Sequence, residues 1–179
     1  ELVASNWSLK HLHHLIVTSA TYRQASLPRP DCLRRDSDNR LLWRRSPQRL
    51  EAEALRDTML SAAGQLNRQL GGPPYQDFTT FVSNSQFYRM TDPVGVPYNR
   101  RTIYRTWLRS GRNPFLDAFD CPDPATTAPR RAVTTTPTQS LALLNNSFVL
   151  RMARRMAERI TRETGPEPRQ QAARAILLA

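Results

Sequence analysis

Val149, Met152, Ala153, Met156, Ala157 and Ile160 recur at intervals of three and four, with Arg151, Arg154, Arg155 and Arg162 on the other side. One apolar stripe on a helical period predicts an amphipathic helix, and this is the strongest periodic signal in the chain. Upstream, Thr136, Pro137 and Gln139 make a T-x-x-Q capping box with proline at the first helical position, so a helix opens there and runs through Leu141 and Leu144 to Asn145-Asn146. Ser147 is placed to cap the helix that follows. In the first half, Ala52, Leu55, Met59, Ala62, Ala63, Leu66 and Leu70 keep one face from a start at Ser46 and Pro47, with Glu53, Asp57 and Ser61 on the wetter side. Ser8 followed by Leu9, Leu12, Leu15 and Ile16 predicts a short N-terminal helix, and Ala172, Ala173, Ile176 and Leu177 predict a last one.

Between these periodic runs, proline and glycine punctuate the chain. Pro28 and Pro30 predict an extended connector. From Gly71 to about Asn99 short aromatic runs alternate with Gly72, Pro73, Pro74, Pro93, Gly95 and Pro97, which predicts loop with one strand near "TTFVS". "RRTIYRTWLRS" at 100–110 is rich in β-branched and aromatic residues and reads as a strand, and "NPFLDAFDCPDPATTAPRR" as another connector. The fold class is therefore mainly α: an irregular helical domain with long proline-rich connections and at most a small β-hairpin. Residues 1–179 read as a single domain, and a start without Met and an apolar ending, "AARAILLA", read as a piece of a longer multidomain protein.

Charge adds one function class to weigh. The formal net charge is +11, yet Lys10 is the only lysine among 26 basic residues, and the arginines are spread over every region rather than one stripe. A basic nucleic-acid-binding domain is thus a secondary reading, even though Arg151, Arg154, Arg155, Arg159 and Arg162 share one predicted helix. Cys32 and Cys121 exclude a disulfide framework and, with no C-x-x-C-H, a c-type haem attachment site within this chain; one bridge between them stays open. No apolar run is long enough to span a bilayer, and the first residues do not form a signal peptide.

Candidate chemistry is sparse. Asp117, Asp120 and Asp123, three apart, are the carboxylates that could divide acid and base roles on a glycoside, although the plainer reading pairs them with Arg130 and Arg131 or makes them turn caps. The planar guanidinium forks of Arg100, Arg101, Arg130 and Arg131 suit a carboxylate, sulfate or phosphate, which makes Arg101, Tyr104, Arg130 and Arg131 the candidate ligand-binding residues. Trp7, Trp43, Trp107, Tyr75, Tyr98 and Tyr104 are a possible sugar-stacking set, and most of them are expected in the core. His11 and His14 share a helix face but lack a nearby carboxylate, so they form an incomplete metal site. "DSDN" fails as a calcium loop, because Leu41 and Pro47 stand where glycine and glutamate are required.

Taken together, "WSLKHLHHLIVTSATYRQAS", "DSDNRLLWR", "RLEAEALRDTML", "RRTIY", "FDCPDP", "RRAVTTTPTQSLALLNNSFV" and "ARRMAERI" resemble, in order and over nearly the whole chain, a domain of unknown function abundant in Planctomycetes. That domain lies toward the C-terminus of large exported proteins that often carry a cytochrome c domain near the N-terminus. The resemblance implies an exported protein, at the periplasm or cell surface, with haem c in a neighbouring domain and no cofactor in this one; it implies no catalytic residue. Two positions depart from the family pattern: His14 stands where L-H-R-L has arginine, and Ala128 where a cysteine often precedes the arginine pair. The expected role is a non-catalytic scaffold or recognition module whose partners are the other domains of the parent. A polysaccharide-acting enzyme using the loop carboxylates is the first alternative, and nucleic acid is the less expected partner.

Overall fold

The computed structural model describes residues 1–178, and the chain packs as two compact units, Glu1–Arg49 and Leu50–Ala179. In the first unit, α1 (Leu9–Thr18) starts where expected: the Ser8 side chain accepts the His11 N–H at 3.2 Å. Most of its apolar residues stay open, with Leu9 59% and Ile16 47% exposed, and Leu12 is half-buried. The predicted connector after it contains a short helix, α2 (Pro30–Arg35). Pro30 opens this helix rather than only breaking one, because its missing N–H falls where no helical partner exists.

The second unit is built on α3 (Ala52–Ala62), which is shorter than its periodicity predicts at both ends. Ser46 does not cap it, since that hydroxyl is engaged by Asn39 Nδ2 at 3.1 Å. The far end closes at Gly64, whose φ of +67° turns the chain so that Leu66 N–H returns to the Leu60 carbonyl. Leu66 and Leu70 therefore lie beyond the helix.

Strands β1 (Phe78–Ser83) and β2 (Ser85–Met90) pair antiparallel in register Phe81↔Phe87, with Asn84 at φ +56° in the turn. The "TTFVS" strand lies within β1, and the hairpin is the only sheet among the described residues. The strand expected at 100–110 does not form: Val96–Tyr98 and Thr102–Tyr104 are single 3-10 turns, and only isolated bridges such as Tyr75↔Arg105 occur there. A further short helix, α4 (Pro114–Ala118), sits in the next supposed connector, capped by Asn113 Oδ1, which accepts from Phe115 and Leu116 N–H.

Helix α5 (Pro137–Asn145) opens with the predicted capping box, in which Gln139 Oε1 accepts the Thr136 N–H at 3.3 Å. The cap of α6 (Ser147–Thr164) is Asn146, not Ser147: its Oδ1 accepts from Phe148 N at 3.0 Å, and the Ser147 hydroxyl donates to Asp92 instead. The final helix, α7 (Pro168–Leu178), is tied to α6 by Arg174 and Glu163 at 2.7 Å.

The core of this unit lies where α3 meets α4 and α6. Ala52, Phe115, Leu116 and Phe119 form one buried cluster, and Leu60, Ala63, Phe148 and Met152 another, with Met59 and Val149 shared between them. Phe115 joins the two through its ring contact with Phe148 at 5.6 Å. Of the stripe predicted on α6, Met152 and Ile160 are buried and Val149 and Met156 half-buried, while Ala153 and Ala157 face outward.

Candidate functional site

Two of the candidate arginines, Arg101 and Arg131, meet α3, whose wetter side is half-buried and ion-paired. Glu53, Arg56 and Asp57, at positions i, i+3 and i+4, share one side of the helix and meet the 96–105 segment and the 130s. Arg56 donates to the carbonyls of Tyr98 at 2.7 Å and Arg100 at 3.1 Å. Asp57 accepts both the N–H of Thr102 at 2.8 Å and its hydroxyl at 2.7 Å. Those carbonyls and that N–H have no partner within so tight a turn, so α3 supplies what a β-ladder would have supplied. These bonds hold residues 98–102 against α3 in place of a ladder.

The candidate arginines divide between two acids of α3. Arg101 lies 3.7 Å from Asp57. Arg131 makes a two-pronged pair with Glu53, Nη1 to Oε2 at 2.7 Å and Nη2 to Oε1 at 3.0 Å. The expected pairing of Arg131 with Asp120 or Asp123 is thereby replaced by one with a residue 78 positions away. Burial raises the Glu53 pKa, but the hydrogen bonds and charge of Arg131 outweigh it and hold the carboxyl below its usual range. Arg130 is exposed. Tyr104 belongs to a different cluster: its ring underlies the Arg100 guanidinium at 4.0 Å and its hydroxyl accepts from Gly71 N–H at 3.0 Å. Arg100 itself is buried and donates to the Pro73 carbonyl at 2.6 Å and to that of Gly71.

The three loop aspartates do not share a site. Asp117 pairs with Arg112, and Asp123 reaches the same guanidinium at 3.9 Å while capping Ala125 N–H at 2.8 Å. Asp120, at φ +62°, accepts the Thr134 N–H and hydroxyl, both at 2.8 Å, and so ties the end of α4 to the entrance of α5. Sequence reasoning missed a deeper pair. Arg105, 3% exposed, donates Nε to Asp77 Oδ2 at 2.8 Å, and Asn113 Nδ2 donates to the same oxygen. No spacing announces it, because the partners come from the segments flanking a hairpin that was itself only half predicted.

The aromatic set is also dispersed. Tyr75 alone of the six is buried; Trp7 is 68% and Trp107 40% exposed. Guanidiniums cover several faces, Arg105 over Trp107 at 5.0 Å and Arg44 over Trp43 at 5.0 Å. His11 faces Glu1 at 3.4 Å, and His14 is exposed on α1. Among the described residues no group of three His, Cys, Asp or Glu side chains is arranged to hold a metal ion. Cys32 and Cys121 are free thiols. Burial first, and the Glu53 charge second, push Cys121 up to about 11, so it is a protonated thiol near neutral pH rather than a nucleophile.

The family model for PSD1, described as a protein of unknown function (DUF1553), matches residues 1–179. The chain belongs to the PSD1 family. No curated protein and no solved structure matches it. In this PSD1 domain Asp117, Asp120, Asp123, Arg101 and Arg131 are spent on protein partners, and large apolar side chains stand outside: Leu144 of α5 is 70% exposed, and Ile176 and Leu177 of α7 are each 77% exposed. No helix among the described residues is long and apolar enough to cross a membrane.

Proposed function

We propose that this PSD1 domain is a non-catalytic scaffold or recognition module within an exported, cytochrome c-associated multidomain protein of planctomycete type. The observation that carries the reading is how its side chains are distributed. Asp117, Asp120 and Asp123 each brace a loop, Arg101 and Arg131 end on carboxylates of α3, and apolar side chains of α5 and α7 are left at the surface. A domain that spends these acids and arginines internally and presents apolar side chains outward is suited to packing against other domains. The export route, the planctomycete origin and the neighbouring haem c domain are taken from the sequence resemblance.

The test is made on the full parent protein, produced in cells that attach haem, with and without this domain. Oxidised and reduced visible spectra and thermal melts of both forms are compared. The reading expects a c-type spectrum, and a parent that loses yield or melts earlier once the domain is removed. A parent whose spectrum and melting ignore the deletion overturns the scaffold, and one without haem overturns the cytochrome setting.

A further inference from the structure

The first unit contains a recess of about 350 Å³ that none of the preceding assignments uses, lined by Ser19, Thr21, Tyr22, Arg44, Arg45 and Gln48, with Ile16 and Leu42 as its apolar part. The unit has Lys10 and eight arginines against four acids, Glu1, Asp31, Asp36 and Asp38. Those acids are engaged outside the recess lining: Asp31 pairs with Arg34, Glu1 with His11, Asp36 accepts the N–H groups of Arg40 and Leu41, and Asp38 accepts the Ser37 hydroxyl. Neither Arg44 nor Arg45 meets a carboxylate among the described residues. Arg44 Nε is buried without any hydrogen-bond partner. An unpaired buried donor on a cation is costly, and no protein carboxylate offsets the charge of either arginine.

The recess is also held in shape. Asn39, 8% exposed and at φ +56°, donates Nδ2 to the Arg44 carbonyl at 2.8 Å and to Ser46 Oγ at 3.1 Å, and its Oδ1 accepts the Arg44 N–H at 3.2 Å. Arg45 N–H is fixed to the Ala25 carbonyl at 3.1 Å. Both arginines therefore project from a clamped backbone, which lowers the ordering cost of binding.

We propose that this recess binds a saccharide unit bearing an oxyanion: a carboxylate, sulfate or phosphate ester. Arg44 and Arg45 supply planar donors to the oxyanion, and the Thr21 hydroxyl and Gln48 amide supply donors and acceptors to sugar hydroxyls. The volume fits a ligand of one or two sugar rings rather than a bare ion. A nucleic acid is less well matched, because single-stranded recognition stacks bases on open aromatic faces. Here Tyr22 lies under the Arg45 guanidinium at 4.5 Å, and Trp43 carries Arg44 and Arg29 at 5.0 and 5.8 Å. The inference rests on the recognition half of the reading above and gives it a ligand.

The experiment is calorimetric titration of the 179-residue chain with uronate, sulfated and phosphorylated oligosaccharides of one length, their neutral counterpart, inorganic sulfate and a single-stranded oligonucleotide. At least one charged oligosaccharide binds, the neutral one does not, and inorganic sulfate binds more weakly; which of the three binds identifies the oxyanion. Arg44→Gln and Arg45→Gln each weaken binding about tenfold, while Arg154→Gln and Arg162→Gln on α6 leave it within about twofold. Where an arginine variant does not fold, Thr21→Trp, which fills the recess and keeps both charges, must abolish binding. Binding that survives these recess changes, that falls equally with the α6 arginines, or that is matched by the oligonucleotide with a steep salt dependence overturns the proposal. Failure of every saccharide, with the parent protein still destabilised by deletion of the domain, removes the recess and leaves the scaffold standing.

Discussion

Replacing Glu53 by glutamine removes the charge that anchors the 130s to α3. The wild-type carboxylate takes two hydrogen bonds from Arg131, at 2.7 and 3.0 Å, and a weaker contact from Cys121 Sγ at 3.8 Å. Charged hydrogen bonds contribute about 1.5–3 kcal/mol when shielded. The Glu53 side chain is 22% exposed but that of Arg131 is 38% exposed, so solvent screening reduces the pair to about 1–2 kcal/mol. For a domain of this size that is a fall in Tm of about 2–8 °C. A double-mutant cycle of Glu53→Gln and Arg131→Gln, followed by urea unfolding, isolates the coupling from the loss of either side chain alone. The pH dependence gives a second handle. The folded Glu53 pKa is lowered, so the pair contributes fully above the unfolded value of about 4.5 and its contribution is lost as pH falls through the folded one. Wild type and Glu53→Gln should therefore differ by a constant amount near neutral pH and converge in acid. A coupling below about 0.3 kcal/mol, or a gap that widens on acidification, would mean that Arg131 does not anchor the 130s through Glu53.

Other outcomes follow from the same structure. Leu60→Ala, at a side chain 0% exposed between α3 and α6, should cost about 2–5 kcal/mol in urea unfolding, whereas Leu177→Ala, 77% exposed, should change stability by less than about 0.5 kcal/mol. Gly64→Ala introduces a side chain at φ +67° and brings its Cβ to 3.3 Å from Arg159 Cδ, the arginine that caps the Ser61 and Ala62 carbonyls; a loss of about 1 kcal/mol or more is expected in thermal melts. Iodoacetamide at slightly alkaline pH should label Cys121 slowly, and Glu53→Gln should speed it, because the Glu53 charge helps hold the thiol at about 11; mass spectrometry of the labelled chain reads this directly. Asp120→Asn keeps a residue type that tolerates left-handed backbone, and it should weaken the Thr134 tie and lower Tm; a variant that stayed equally stable but lost turnover on a polysaccharide would favour the enzyme reading.

The helices with a period and a cap were legible in the order of residues. Ser8 and the Thr136–Gln139 box act through atoms three positions away, and the α6 stripe needs only a regular backbone to line up. The family, too, was legible as a resemblance, since motifs keep their order whatever the fold does with them. Less was legible where a local signal had a competitor. Ser46 could cap a helix on paper, but Asn39 takes its hydroxyl; Ser147 yields to Asn146, whose carbonyl oxygen reaches two N–H groups while the serine turns to Asp92.

The partnering of charge came with the folded chain alone. Glu53 and Asp57 look like a solvated face when read along the helix, and become acceptors only when segments some 45 to 78 residues downstream fold back onto α3. Likewise nothing in the order of residues pairs Arg105 with Asp77, or leaves Arg44 with an unanswered buried donor. Helical period and capping act over one or two turns of chain, so sequence alone determines them. An ion pair is set by distance and burial in three dimensions, and those exist only after the core of α3, α4 and α6 has closed.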